Sequence, residues 1–224
     1  MRIVAISDTH GKHESIAVPD GDVLIHAGDF TYDHNSPKEP PRFNEWLKNL
    51  PHRHKIVIAG NHDWCMARRE FTFDAEITYL QDSAVVIDGV SFWGSPWTPH
   101  FFDWAFNFDE RPEVYLRQAT RTWLKMPNPL DVLITHGPPL GVMDRLCDRY
   151  LLNVERNVGC EHLALRVEEV RPQCHIFGHI HKYGGQSVER EGTKFCNVSV
   201  CGENYKPKYL PTVIDINPRG SDGK

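Results

Sequence analysis

Apolar runs that stop abruptly at small polar clusters set the pattern of this chain. Residues 2–7, 22–27, 55–59, 131–135 and 173–178 are nearly continuous apolar stretches, several of them rich in Val and Ile. Short runs of this kind predict strands buried on both faces, as in parallel sheets. Between them, residues 41–50 and 113–126 repeat apolar side chains at helical spacing, and residues 160–170 do so behind Gly159. Segments 84–87 and 90–93 flank Asp88-Gly89, a dipeptide that predicts a two-residue hairpin. Residues 186–189, 194–200 and 212–216 read as further strands. Buried strands mixed with helices and hairpins predict an α/β fold of two packed sheets with helices outside, not a single doubly wound sheet. We expect one domain over residues 1–217, followed by a frayed tail over 218–224.

Composition narrows this picture. The 224 residues suffice for one sizeable core, and a hydrophobic content of 40% is ordinary for a globular domain. The 16 glycines and 16 prolines are spread among loops, and the chain has no internal repeat. A formal net charge of −5 offers no large positive field, so a nucleic acid polymer is not the expected partner. The six cysteines include no Cys-x-x-Cys pair and are expected to be reduced thiols. An acid already at Asp8 breaks any secretory apolar segment, and no run approaches the length of a membrane span. A cytoplasmic chain with no membrane partner is therefore expected.

The candidate chemistry lies where the apolar runs end. Asp8-Thr9-His10, Gly28-Asp29, Gly60-Asn61-His62-Asp63, His136-Gly137 and Gly178-His179-Ile180-His181 each follow one of the five runs. Open α/β sheets place their ligand sites at such strand ends. On an extended strand end, Asp8 and His10 would point the same way with Cα atoms ~7 Å apart, so that one cation fits between them. His179 and His181 repeat that spacing. Gly28 leaves room for close approach of backbone, and the Asp29 carboxylate has two oxygens with which to bridge two cations. Asn61 supplies a carbonyl oxygen and His136 an imidazole. Any one of these pieces alone is an ordinary turn or surface feature; their joint occurrence in this order points to metal chemistry.

With these residues in place, the chain resembles the calcineurin-like metallophosphoesterase superfamily, whose D-x-H, G-D, G-N-H-D/E, lone H and G-H-x-H pattern is complete over residues 8–181. Gly28-Asp29-Phe30-Thr31, Phe43-Asn44-Glu45-Trp46-Leu47, Gly94-Ser95-Pro96-Trp97-Thr98-Pro99 and Thr135-His136-Gly137-Pro138-Pro139-Leu140-Gly141 are similar to the small metallophosphoesterase-domain subgroup of class III phosphodiesterases. The resemblance implies a four-layer α-β-β-α sandwich and a dinuclear centre. It assigns Asp8, His10 and His181 to a first metal, Asn61, His136 and His179 to a second, and Asp29 to both. It makes His62 a non-ligand catalytic histidine whose tautomer Asp63 fixes through a ring hydrogen bond.

The resemblance further implies a hydrolase that uses two divalent ions, with Mn²⁺ first and Fe, Zn²⁺, Co or Ni permitted by a donor set without thiolate. A metal-bridging hydroxide would attack the phosphodiester bond of a small substrate, with cyclic nucleotides or nucleotide diesters foremost. A phosphomonoesterase or nuclease on the same centre is the alternative, and a non-catalytic protein-binding scaffold is the alternative of another class. Other residues are given lesser roles. His26 and His175 are expected to be hydrogen-bonded core histidines, and His52, His54 and His100 surface residues. Lys12 and His13 lie close enough behind His10 to be considered for phosphate contact. Trp93, Trp97, Phe101, Phe102, Trp104 and Phe106 are expected to serve mainly in packing, with one or two at the rim of the site. Segment 144–157, with Arg145, Arg149 and Arg156, is expected to be a solvated loop near His136.

Overall fold

The structure is a computed structural model that describes residues 1–148 and 154–219. In chain order the elements are β1 (Arg2–Ile6), β2 (Val23–Ala27), α1 (Glu39–Lys48), β3 (His54–Ile58), α2 (Trp64–Ala67), β4 (Ile77–Tyr79), β5 (Ser83–Ile87), β6 (Val90–Ser95), α3 (Pro112–Trp123), β7 (Val132–Thr135), β8 (Arg145–Asp148), β9 (Val154–Asn157), α4 (Glu161–Val170), β10 (Cys174–Phe177), β11 (Ser187–Arg190), β12 (Thr193–Asn197) and β13 (Thr212–Asp215). Two mixed sheets result. The first has the order β13-β1-β2-β3-β4, with only β13 antiparallel to its neighbour. The second has the order β11-β12-β10-β7-β6-β5, with its two edge strands antiparallel.

Side-chain alternation decides which face goes where. Ile3 and Ala5 of β1, Val23, Ile25 and Ala27 of β2, and Ile56 and Ile58 of β3 point inward. There they meet Phe92, Val132, Ile134, Cys174, Ile176 and Cys196 of the second sheet. The residues between them point outward. Val4, Ile6, Leu24 and Val57 pack under Phe43 and Leu47 of α1, and Trp93, Leu133, Phe177 and Phe195 pack under Ala119, Trp123, Leu163, Val167 and Val170 of α3 and α4. This is the α-β-β-α sandwich, and each large apolar side chain so covered contributes roughly 1.5–3 kcal/mol. Among the described residues, no helix is long and apolar enough to cross a membrane.

Local chemistry explains the boundaries. Pro sits in the first turn of α1 and α3, where its missing N–H costs nothing. Arg171 ends α4 in a left-handed conformation (φ 49°) just before Pro172. Asp88 and Gly89 both have positive φ, as a tight turn between β5 and β6 requires. One expectation fails: segment 144–157 is not a plain loop, because β8 and β9 pair antiparallel as a separate two-stranded sheet. Arg149, and residues 220–224 of the expected tail, lie outside the described residues.

Candidate metal centre

The five polar clusters follow β1, β2, β3, β7 and β10, all parallel strands, and so emerge at the same edge of the sandwich. An isolated bridge between Ser7 and Ser199 ties the two sheets together at that edge. The backbone does not leave the strands in extended form as expected. Asp8, His10, Asp29 and His179 have φ of 56°, 43°, 59° and 65°. Left-handed backbone is uncommon outside glycine, and its concentration here is the geometry that turns successive side chains into one cleft. At Gly28 a Cβ would meet His136 Nδ1 at 2.6 Å and Ala59 O at 2.7 Å, so its missing side chain admits both that ring and the neighbouring backbone.

Two corners form. In one, His181 Nε2 lies 3.2 Å from Asp8 Oδ1 and 3.2 Å from His10 Nε2. In the other, His136 Nε2 lies 3.3 Å from Asp29 Oδ2 and 2.9 Å from Asn61 Oδ1. Asp29 Oδ2 is also 3.9 Å from His10 Nε2, which places this one oxygen between the corners. Its partner oxygen, Oδ1, accepts the His62 backbone N–H at 2.8 Å. Among the described residues, three groups have ligand atoms mutually within 4.8 Å: Asp8-His10-His181, His10-Asp29-His62 and Asp8-Asp29-His136. His179 belongs to none of them; its ring lines the cleft 5.0 Å from that of His136.

Whether these atoms suit a cation depends on their hydrogen bonds. His181 Nδ1 donates to Gly202 O at 3.1 Å and His136 Nδ1 to Ala27 O at 3.0 Å. Each carbonyl fixes the proton on Nδ1 and leaves Nε2 facing an acidic oxygen, a contact that calls for positive charge between them. The electrostatics agree. Burial acts to raise Asp8 and Asp29, yet the histidines around them, His181 and His136 foremost, hold both below the usual carboxylate range. Burial acts to lower His136, but Asp29 carries it up to about 9, and Asp8 likewise raises His181. Burial pushes His10 and His179 down to about 3, so both present neutral imidazole. Carboxylate, carboxamide and neutral imidazole together fit a divalent ion.

Supporting contacts come in part from Ser7 and Ser199, which no sequence motif singles out. Asp8 Oδ2 accepts the hydroxyls of Ser7 at 2.5 Å and Ser199 at 2.7 Å, which leaves Oδ1 toward His181. Asp63 does not bond the His62 ring. Its carboxylate accepts the backbone N–H groups of Asp29 (2.8 Å), Thr31 (2.9 Å) and Gly60 (2.8 Å) and the Thr31 hydroxyl (2.9 Å). It thereby ties the loops after β2 and β3 into one unit. Burial and the Asp29 charge push Asp63 up to about 7 against the pull of these donors. The His62 ring instead places Nδ1 3.5 Å from Tyr32 O and packs against Trp104, with ring centres 4.3 Å apart.

A cleft of about 520 Å³ opens beside this cluster, lined by Asp29, Asn61, His62, His179 and His181 together with Phe101, Trp104, Arg156, Lys182 and Tyr205. The aromatic segment divides accordingly: Trp93 and Phe106 are buried, whereas Phe101 and Trp104 reach the rim. His26 and His175 are core histidines as expected, bonded to Thr9 Oγ1 at 3.0 Å and Thr135 Oγ1 at 2.8 Å. His13 is not near the cleft; its ring is buried against Phe43 and Trp46 under α1. His52 is not a surface residue, because it is buried with Nε2 bonded to Pro19 O, whereas His54 lies half-buried in β3 and accepts from Arg53 Nε at 2.9 Å. His100 is exposed.

Comparison with known proteins gives a consistent result. A profile of the calcineurin-like phosphoesterase family matches residues 1–183. Human metallophosphoesterase domain-containing protein 1 is 40% identical over 249 residues, covering 98% of this chain and 72% of the human protein. UPF0046 protein K07C11.7 of Caenorhabditis elegans is 36% identical over 234 residues, covering 96% of this chain and 75% of its own. Among solved structures, the phosphopantetheinyl hydrolase of Mycobacterium tuberculosis superposes with a TM-score of 0.63 at 16% identity, covering 99% of this chain and 98% of that one. At that identity the likeness concerns the fold. Because the matched residues take in all five strand-end clusters, whose donors face one another across a cleft, the chain belongs to the calcineurin-like phosphoesterase family and is a metal-dependent phosphoesterase.

Proposed function

We propose that this protein is a phosphodiesterase of small substrates that works with two divalent ions, Mn²⁺ foremost. The observation that carries the reading is the placement of Asp29 Oδ2 between two imidazole corners, 3.9 Å from His10 Nε2 and 3.3 Å from His136 Nε2. A single carboxylate so placed would be within reach of two ions at once. Asp8, His10 and His181 would hold one, and Asn61, His136 and His179 the other. When bound, such a pair supplies an activated water and an electrophilic clamp on phosphoryl oxygens.

The chain's own residues do the rest. Ser7, Ser199 and the His179 backbone N–H fix the orientation of Asp8. Gly202 O and Ala27 O hold protons on the outer nitrogens of His181 and His136, so a bound ion would replace the second proton that Asp8 and Asp29 favour on the inner nitrogens. His62 stands beside His10 with ring centres 4.6 Å apart and reaches the cleft, where it would give a proton to the leaving oxygen of the ester. Asp63 acts through the backbone, holding His62 and Asp29 at their mutual distance. A cleft of about 520 Å³ suits a small ester better than a polymer, as does the net charge of −5. The test is elemental analysis of the purified protein, then turnover of a bis-aryl diester and an aryl monoester with each metal restored. Two ions per chain and preference for the diester are expected; a single ion, or preference for the monoester, would overturn the respective part.

A further inference from the structure

One aromatic residue beside the centre has no part in holding it. Tyr205 adopts left-handed backbone (φ 57°), a costly conformation for a bulky side chain that persists only when its surroundings impose it. Those surroundings are a web of backbone bonds. Tyr205 N donates to Gly202 O at 2.8 Å, Gly202 N to Lys206 O at 2.9 Å, and Cys201 and Pro207 form an antiparallel bridge beneath. The same Gly202 O accepts from His181 Nδ1. One tight loop thus fixes a candidate ligand and presents a phenol over it.

The ring of Tyr205 stands 4.7 Å from that of His10, 5.3 Å from His181 and 5.9 Å from His62, centre to centre. It also meets Tyr32 edge-on at 5.5 Å and lines the cleft. A residue required only for packing would be buried; this one is half-exposed and faces the space a substrate must enter. We infer that Tyr205 is a substrate-contacting residue whose hydroxyl donates a hydrogen bond to a phosphoryl oxygen of the bound ester, on the His10–His181 side of the centre. The inference rests on the phosphoesterase reading of the cleft. It assigns to residues 202–207 the task of closing the site on one side, where the His62 ring neighbours both Tyr205 and Trp104.

The test uses the full chain loaded with Mn²⁺ and the variant Tyr205→Phe, which keeps the ring and removes only the hydroxyl. Metal content and thermal midpoint are expected to stay at parental values. Affinity for inorganic phosphate, measured by calorimetry, is expected to fall about tenfold, and kcat/KM on a bis-aryl diester to fall at least as far, as loss of one hydrogen bond to a charged group implies. Phosphate affinity within twofold of the parent overturns the inference, as does loss of metal in step with loss of affinity. A parent that binds phosphate yet turns over no ester counts against the catalytic reading, and Tyr205 is then judged on phosphate affinity alone. A parent that binds no phosphate overturns both.

Discussion

His62 and Asp63 are neighbours in sequence that the structure assigns to different tasks. The ring of one reaches the cleft, while the carboxylate of the other is spent on backbone N–H groups. His62→Ala should therefore lower kcat roughly 10²- to 10⁴-fold, the usual worth of a positioned proton donor, without changing metal content. Steady-state kinetics beside elemental analysis decide the matter, and loss of an ion would make His62 a ligand. Ser199→Ala removes one of two hydroxyls on Asp8 Oδ2. It should weaken metal binding about 10- to 100-fold, the usual effect of losing a partner that orients a ligand. Competition against a graded chelator measures this; unchanged affinity would show that Ser7 and the His179 backbone N–H orient Asp8 without Ser199.

The loops after β2 and β3 behave as one element because Asp63 accepts from residues on both. Above about pH 7, where Asp63 is an acceptor-only carboxylate, Asp63→Asn replaces it with a group whose amide opposes those N–H donors. It should cost about 2–4 kcal/mol of stability, since hydrogen bonds to a charged group are each worth about 1.5–3 kcal/mol. A urea midpoint equal to the parent's, with activity alone lost, would return Asp63 to a direct catalytic role. The strands themselves were legible in sequence because burial on both faces forces continuous apolar runs, and β1, β2, β3, β7 and β10 begin and end within a residue or so of those runs. Strand β4 was not legible: only three residues long, it gives no run to read. The β8–β9 pair was hidden as well, because interleaved charges such as Arg145 and Glu155, ion-paired across it at 2.9 Å, look in sequence like any solvated segment.

At the scale of the molecule, ions and protons both couple to folding. Any ion that binds the native centre and not the unfolded chain stabilises it, by about 2.7 kcal/mol at a hundredfold excess over Kd. Chelation should lower the thermal midpoint and Mn²⁺ should restore it; a midpoint blind to both would deny a preformed site. Acid should act through the buried core. Burial pushes His175 down to about 3, whereas the unfolded chain protonates it near 6.5. The stability tied to its neutral form is complete above about pH 6.5 and is lost progressively as pH falls toward about 3. From pH 7 to 5 this one histidine should cost about 2 kcal/mol. His175→Gln, which cannot titrate, should show a correspondingly smaller fall in urea midpoint over that range; an equal fall would place the acid sensitivity elsewhere.

Sequence by itself determined the five strands that lead into the site, the clusters at their ends and hence the candidate ligands, since each is a local pattern of apolar run and polar stop. It could not determine which face a side chain takes. His10, His13 and His26 lie within seventeen residues of one another, yet one enters the cleft cluster and two pack under α1. That choice belongs to the left-handed turns after the strands and to the pairing of the sheets. Nor could it reveal Ser199, which reaches Asp8 from 191 residues away, or Tyr205, whose place over three histidines exists only once the second sheet has docked on the first. Local pattern selects the elements because burial is decided strand by strand. The supporting contacts of the site arise between strands distant in the chain, and only packing brings those together.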